Sequence, residues 1–393
     1  MSKLTTQILK DCRSHFDEIV SIRRDIHMYP ETGFDVHRTA GIVAKQLEDS
    51  GLKVRVGVGQ TGVVGDINVV GATKRIALRA DMDALPVNEA NTFDYRSKHD
   101  GKMHACGHDG HVTMALGAAK HLAEKENFDG TAYFVFQPDE EQTQGAQAMI
   151  DDGLFDRFSM DEIYAFHNLP GMDVGTFATR AGTITGSESL FRIELKGIGG
   201  HSALPHMGVD TITVGTQIIT ALQSIVSRKL NPAVNGVVSV TEFITDGTEN
   251  VLPGHALILG DTRALSPDSN KIMEESMKSI VNGMAQAHGI EAKFEYRTRT
   301  NMTINSPEQA RFASMVAEKL VGKENVDEDC EPKLFSEDFS QMLMKKPGCY
   351  ILIGNGIDGS CGKTLHSSDY DFNDKLLVTG SSYWSELVLE KLG

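Results

Sequence analysis

The chain has 393 residues, 40% of them apolar, with 54 acidic against 38 basic side chains and a formal net charge of −16. That length accommodates two domains, and the composition is that of an ordinary globular protein. The negative balance argues against nucleic acid or an anionic membrane surface as the main partner, although one buried arginine can still hold an acidic substrate.

Met1-Ser-Lys-Leu-Thr-Thr-Gln lacks an apolar signal core, and no run of roughly 18 apolar residues follows. A cytoplasmic protein without membrane spans is expected. Cys12, Cys106, Cys330, Cys349 and Cys361 show no disulfide-framework spacing, so reduced thiols are expected. Leu4, Ile8, Cys12, Phe16, Ile19, Ile22 and Ile26 recur at helical spacing and predict one amphipathic helix over 4–28. A second helix is expected over 38–50, stopping at Gly51. Residues 54–70, rich in Val and Gly, read as strands and turns, and 75–79 as a strand running into Asp81 and Asp83. A helix over 111–125 and buried strands at 131–136, 163–166 and 350–353 follow the same logic.

The rhythm changes between about 187 and 297. There the pattern gives strand 190–196, helix 209–228, strands 236–243 and 256–264, helix 268–288 and strand 292–299. This order is βαββαβ, the ferredoxin-like arrangement. The predicted fold is therefore α/β. A catalytic domain over 1–182 and 298–393, with a mostly parallel central sheet flanked by helices, carries an inserted ferredoxin-like α+β domain over 183–297.

His104-Ala-Cys106-Gly-His108-Asp109-Gly-His111 packs four strong metal ligands and a carboxylate into one short stretch. Thiolate and neutral imidazole both suit zinc and related divalent ions. A closed structural site would want a second Cys/His pair, which the sequence lacks. Glu140 and Glu141 follow the strand at 131–136, His167 follows the strand at 163–166, and His366 lies in a loop beyond 350–353. Ligands and substrates gather at the carboxyl ends of strands in open α/β sheets, so these residues read as one constellation. Adjacent glutamates allow a division of labour. Glu141 is assigned to the metal and Glu140 to the proton of a metal-activated water, whose pKa falls toward roughly 7 on a divalent ion.

Several motifs stand in a fixed order: Arg24-Asp-Ile-His-Met-Tyr-Pro-Glu31, Arg79-Ala-Asp-Met-Asp-Ala-Leu-Pro86, Met103 to His111, and Phe136-Gln-Pro-Asp-Glu-Glu141. His167-Asn-Leu-Pro170, Gly199-Gly-His-Ser-Ala-Leu-Pro205, Asn250-Val-Leu-Pro253, Ser336-Glu-Asp-Phe-Ser340 and Leu365-His-Ser367 continue the series. In this set the chain resembles the co-catalytic metallopeptidase family of amidohydrolases. That family includes hippurate hydrolase, N-acyl-amino-acid deacylases, N-acetyl-diaminopimelate deacetylase and the plant indole-acetyl-amino-acid hydrolases. The resemblance implies two divalent ions per subunit, with zinc, manganese, cobalt and nickel all admissible, ligated by Cys106, His108, Glu141, His167 and His366. It implies Glu140 as general base, His201 as the group that helps polarise the scissile carbonyl, and Asn250 and Arg263 as holders of the substrate carboxylate. Arg263 suits that task because its planar fork binds a carboxylate bidentately. The inserted domain would be a lid and the dimerisation surface of a homodimer. Asp81, Asp83, His104, Asp109 and His111 are left as candidates for orienting the ligands. Asp139 stands where alanine is more usual and adds charge beside Glu140.

The expected activity is hydrolysis of the amide bond in N-acyl amino acids or similar small conjugates. A carboxypeptidase or dipeptidase acting on short peptides is the alternative within the same chemistry. A different class, an NAD-dependent oxidoreductase, rests on Gly57-Val-Gly59-Gln-Thr-Gly62 with Asp81 beyond it. That motif must open a helix, and the strand-like sequence after Gly62 disfavours it.

Overall fold

The computed structural model describes residues 2–69, 71–125 and 128–393. Val70, the end of the Val/Gly-rich stretch, lies outside them. The predicted first helix is two helices, α1 (Lys3–Ser14) and α2 (Phe16–Met28). They part at His15, which has φ −98° and ψ 2°. Just before it, the Ser14 hydroxyl bonds back to the Asp11 carbonyl at 2.6 Å, a contact that bends helices. Apolar spacing carries through this break, so periodicity alone could not reveal it. Helix α3 (His37–Asp49) has the Glu31 carboxylate over its first turn, accepting from the Arg38 and Thr39 amides at 2.9 and 2.8 Å.

Strands β1 (Lys53–Val58) and β2 (Gly62–Asn68) form an antiparallel hairpin. The glycines of the dinucleotide-like motif make its turn. A Cβ on Gly59 would lie 2.6 Å from the Met149 amide, and one on Gly62 would lie 2.3 Å from the Val58 carbonyl. These glycines close a hairpin instead of opening a helix, so the oxidoreductase reading loses its motif.

After β3 (Arg75–Asp81), helix α4 (His108–Lys125) begins earlier than expected and takes His108 and Asp109 into its first turn. Strands β4 (Thr131–Gln137) and β5 (Glu162–Pro170) follow. The eight-stranded sheet runs β1, β2, β4, β3, β5, then Gly348–Gly356, Phe177–Ala178 and Val326–Asp327. Its centre, β4–β3–β5–Gly348–Gly356, is parallel throughout. Four carboxyl ends therefore share one edge. One apolar cluster packs α2, α4 and the helix Leu376–Leu392 against the sheet, with Phe166 stacked 4.4 Å from Trp384. Another, including Met149, Phe339 and Tyr350, packs separately. Covering both faces explains why these strands read as continuous apolar runs.

The chain divides into two units. The first holds Met1–Ile184, Ile304–Glu331 and Asp338–Gly393, and the second holds Thr185–Thr303 with Pro332–Glu337. The second unit therefore runs past the expected limit of 297, because its last sheet strand continues to Thr300. It also recruits 332–337, which no linear pattern announces. Its sheet is antiparallel, in the order Gly236–Thr245, His255–Ala264, Ser187–Lys196, Glu291–Thr300. That is the ferredoxin-like order for βαββαβ. The expected helix over 209–228 is split at Gln223 into Thr211–Leu222 and Ser224–Arg228. Phe191, Ile193, Ile218, Met273, Met277 and Val281 belong to its core.

Candidate metal centre

The expected ligands come from a helix start, a strand and two loops that follow strands. Cys106 precedes α4 and His108 begins it. His167 lies inside β5, which runs four residues further than the sequence predicted. Glu140 and Glu141 sit in the turn after β4, and His366 in the loop after Gly348–Gly356. Their donor atoms converge in overlapping sets. Cys106, His108 and His167 offer atoms within 4.8 Å of one another, and so do Cys106, Glu141 and His366. Cys106 is shared. The Cys106 sulfur lies 3.3 Å from His167 Nε2, and His366 Nε2 lies 3.4 Å from a Glu141 oxygen. His366 holds a left-handed backbone (φ +66°), a strained conformation for a residue with a Cβ.

The tautomers are prepared for a cation. His108 Nδ1 donates to the Asp83 carbonyl at 2.8 Å and His167 Nδ1 to the Asn168 carbonyl at 2.7 Å. His167 thereby presents Nε2 as a lone pair, and His108 turns Nε2 toward a cation that would displace its proton. Buried His108 Nε2 and Glu141 Oε1 have no hydrogen-bond partner among the described residues. Orphaned buried polar atoms of this kind are expensive, and here they point into one cluster.

The electrostatics agree. Burial, with Glu141, Glu140 and Asp81 close by, holds the Cys106 thiol well above its usual pKa. Burial also pushes Glu141 up to about 7, despite His108 and with help from Asp83. For His108 burial acts downward, yet Asp81, Asp83 and Glu141 outweigh it and push the ring up to about 10. Burial and the neighbouring His111 drive His167 well below its ordinary value. This crowd of carboxylates and a thiol is short of positive charge, which divalent cations would supply. The donor set fits such ions.

The supporting residues separate into distinct tasks. Asp83 accepts from the amides of Glu140 and Glu141 at 3.0 and 3.1 Å, so one carboxylate holds the glutamate turn while its own carbonyl holds His108. Asp81 takes Arg79 Nη1 and His111 Nδ1, both at 2.6 Å. His111 and Asp81 also form a donor group with His108, but that short bond already joins two of its members. Asp338 accepts from Arg79, Gln137 and the Ala146 amide, tying the loop after β4 to the sheet. Asp139 is buried, with a left-handed backbone (φ +51°), and packs its carboxylate over Gly33. It does not face solvent.

Asp109 belongs to a second buried cluster. Arg23 lies 3.2 Å from it and 2.7 Å from Asp374, and His27 Nδ1 lies 2.8 Å from it, with Glu89 at 3.2 Å from Nε2. Burial lowers the affinity of His27 for a proton, but bonds from Asp109 and Glu89 reverse this and push its pKa up to about 9 from 6.5. Because the folded value is raised, this contribution is complete below pH 6.5 and is lost as pH rises through about 9. Thermal midpoints of the metal-free protein should therefore fall across that window, by an amount on the order of 3 kcal/mol of stability. His27→Gln should flatten the decline, and a midpoint flat from pH 6.5 to 9 in the unaltered chain would show that His27 carries no such proton. His104 is also buried beside His27, its rings 6.2 Å apart, and neither nitrogen has a partner among the described residues.

In the second unit, His201 and Asn250 come together on a two-stranded ribbon. Val251 pairs with His201, and the Ser202 amide donates to the Asn250 carbonyl at 3.1 Å. His201 Nδ1 accepts from the Ala203 amide at 3.1 Å, which leaves Nε2–H as a donor. Arg263 is apart from them and already engaged. Its fork lies 2.8 Å from Asp261 and 2.9 Å from Glu188.

Residues 77–390 match the family model described as peptidase family M20/M25/M40. The chain belongs to that family. It is 41% identical to the hippurate hydrolase of Campylobacter jejuni, over 95% of this chain and 97% of that protein. It is 34% identical to thermostable carboxypeptidase 1 of Saccharolobus solfataricus, over 96% of each. Among solved structures it is similar to a dinuclear metal-binding peptidase of the M20 family from Bacillus subtilis, with TM-score 0.85 and 28% identity over 97% of this chain and 99% of that one. As an M20 member the chain is an amidohydrolase or peptidase with a mixed α/β fold. Among the described residues no helix is long and apolar enough to cross a membrane.

Arg79, Asp338, Gly107, Asn168, Tyr370, Arg23 and His27 were absent from the sequence-derived site. Most stand within or beside the quoted motifs, but only the folded chain shows which side chains turn toward the ligands.

Proposed function

We propose that the chain hydrolyses the amide bond of N-acyl amino acids or similar small conjugates, in a metal-dependent reaction with Glu140 as general base. The observation that carries this reading is the pair of donor sets sharing Cys106, with Glu140 fixed beside them by Asp83. Cys106, His108, Glu141, His167 and His366 would hold two divalent ions, which when bound polarise a carbonyl and bring the pKa of water toward roughly 7. The Glu140 carboxylate then accepts the proton of the attacking water and returns it to the departing amine. Its turn is held by Asp83 through the backbone amides of Glu140 and Glu141. His201 donates from Nε2 to the carbonyl oxygen as negative charge develops there. Asn250 and Arg263 are assigned to the amino-acid carboxylate, Arg263 by exchanging one of its present carboxylate partners for that of the substrate. The inserted unit is assigned as lid and homodimer interface.

The hippurate hydrolase likeness favours an acyl amino acid over a peptide. The carboxypeptidase likeness keeps short peptides as the second reading. A release assay should separate them, using N-acetyl, N-benzoyl and indole-acetyl amino acids beside dipeptides. Chelation should abolish cleavage, and adding back zinc, manganese, cobalt or nickel should restore it for acyl amino acids first. Full activity after exhaustive chelation would end the metal-dependent reading.

A further inference from the structure

Three ligand-bearing segments meet beneath the donor atoms at one buried hydrogen bond. Asn168 follows His167 on β5, and its Nδ2 donates to the Tyr370 hydroxyl at 2.6 Å. Asn168 Oδ1 lies 2.8 Å from His111 Nε2, and His111 Nδ1 is 2.6 Å from Asp81. Tyr370 is anchored to the His366 loop through its amide, which donates to the Ser367 carbonyl at 3.2 Å. Asn91 Nδ2 holds its carbonyl at 2.8 Å. Between Cys106 and His108, Gly107 lies against the same pair of groups. A Cβ there would sit 2.3 Å from Asn168 Oδ1 and 2.7 Å from the Tyr370 hydroxyl oxygen. Asn168 and Tyr370 are both fully buried.

We infer that the Asn168–Tyr370 hydrogen bond is a positioning clasp that sets the spacing of the Cys106–His108 turn, His167 and the His366 loop. The inference rests on the ligand assignment proposed above. It goes beyond it by naming two residues that touch neither ion nor substrate. An apolar contact would also fill this space, but it would not fix direction. The amide of Asn168 has one face given to His111 and the other to Tyr370, so its rotation is determined from both sides. Rotating or releasing it frees the turn at Gly107, where the chain has only backbone to press against its neighbours.

The test compares chelator competition for zinc in the full-length chain, Tyr370→Phe, Asn168→Ala, the double variant and Tyr95→Phe. Tyr95 is a control, since its hydroxyl bonds Asp371 at 2.6 Å in the same C-terminal loop and reaches the Cys106–His111 segment only indirectly, through Asp371, Arg23 and Asp109. Tyr370→Phe and Asn168→Ala should each weaken zinc retention about 10–100-fold. The double variant should lose little more than Asn168→Ala alone, which already removes the Tyr370 bond together with the His111 contact. Turnover should fall with KM almost unchanged, and Tyr95→Phe should retain zinc like the unaltered chain. Zinc retention undiminished in Tyr370→Phe, equal loss in Tyr95→Phe, or strictly additive losses would each overturn the clasp. If Tyr370→Phe does not fold, Asn168→Ala gives the same decision from the other partner. An unaltered chain that holds no zinc would instead overturn the ligand assignment itself.

Discussion

Glu140→Gln should reduce kcat by a factor on the order of 100 to 10,000 while metal content and thermal midpoint change little. The substitution keeps the side-chain shape and leaves the backbone amide of residue 140 bonded to Asp83 at 3.0 Å. The glutamate turn therefore stays in place, and so does Glu141, whose amide is held by the other oxygen of Asp83. On the proposed mechanism, what disappears is the basic carboxylate that receives the proton of the attacking water. An amide oxygen is too weak a base to replace it at neutral pH. Glu141→Gln is the contrasting change, because it weakens a donor common to the Cys106–His366 set, and bound metal should be lost together with activity. Metal analysis alongside steady-state kinetics distinguishes the two. If Glu140→Gln kept activity within about tenfold, the proton would have to travel through another group.

Gly107→Ala should lose metal and stability together. Its φ of +94° is already unfavourable for any residue with a Cβ, and strain of this kind costs about 1–3 kcal/mol. The added methyl would also meet Asn168 Oδ1 and the Tyr370 hydroxyl well inside contact distance. Both obstacles are parts of a bonded pair, so they cannot move aside independently. Gly171→Ala isolates the backbone component, since Gly171 has φ +88° with nothing within 4 Å of an added Cβ. Thermal melts of the two variants should differ by the steric part, and only Gly107→Ala should release zinc to a chelator. Equal melts with zinc retained in both would mean that the turn relaxes without disturbing Cys106 and His108.

Much of this arrangement is legible in the linear sequence because metal chemistry uses few residue types. Cys106, His108, Glu141, His167 and His366 are strong ligands, and the apolar runs place most of them near strand ends. The parallel sheet centre is equally visible, because strands buried on both faces lose their alternation. Other features leave weaker marks. The break at His15 is silent because Ile8, Cys12, Ile19 and Ile26 stay buried on both sides of it. The 332–337 segment joins the second unit across a long separation in sequence, where no local period can report it. Asp81 and Asp83 look interchangeable in Arg79-Ala-Asp-Met-Asp83. The fold gives Asp81 to Arg79 and His111, and Asp83 to the glutamate turn. Tyr370 carries no sequence signal at all, since a lone tyrosine in a loop is ordinary.

The sharing of Cys106 has a consequence in the order of synthesis. Cys106, His108 and His167 all precede the second unit in the chain, whereas His366 follows it. One donor triad is thus written before the insertion and its sibling is finished only near the C-terminus. A nascent chain stalled inside the second unit already contains the first triad but not the second. The two halves of the centre therefore have different ages, and the cysteine that belongs to both links the older half to the younger.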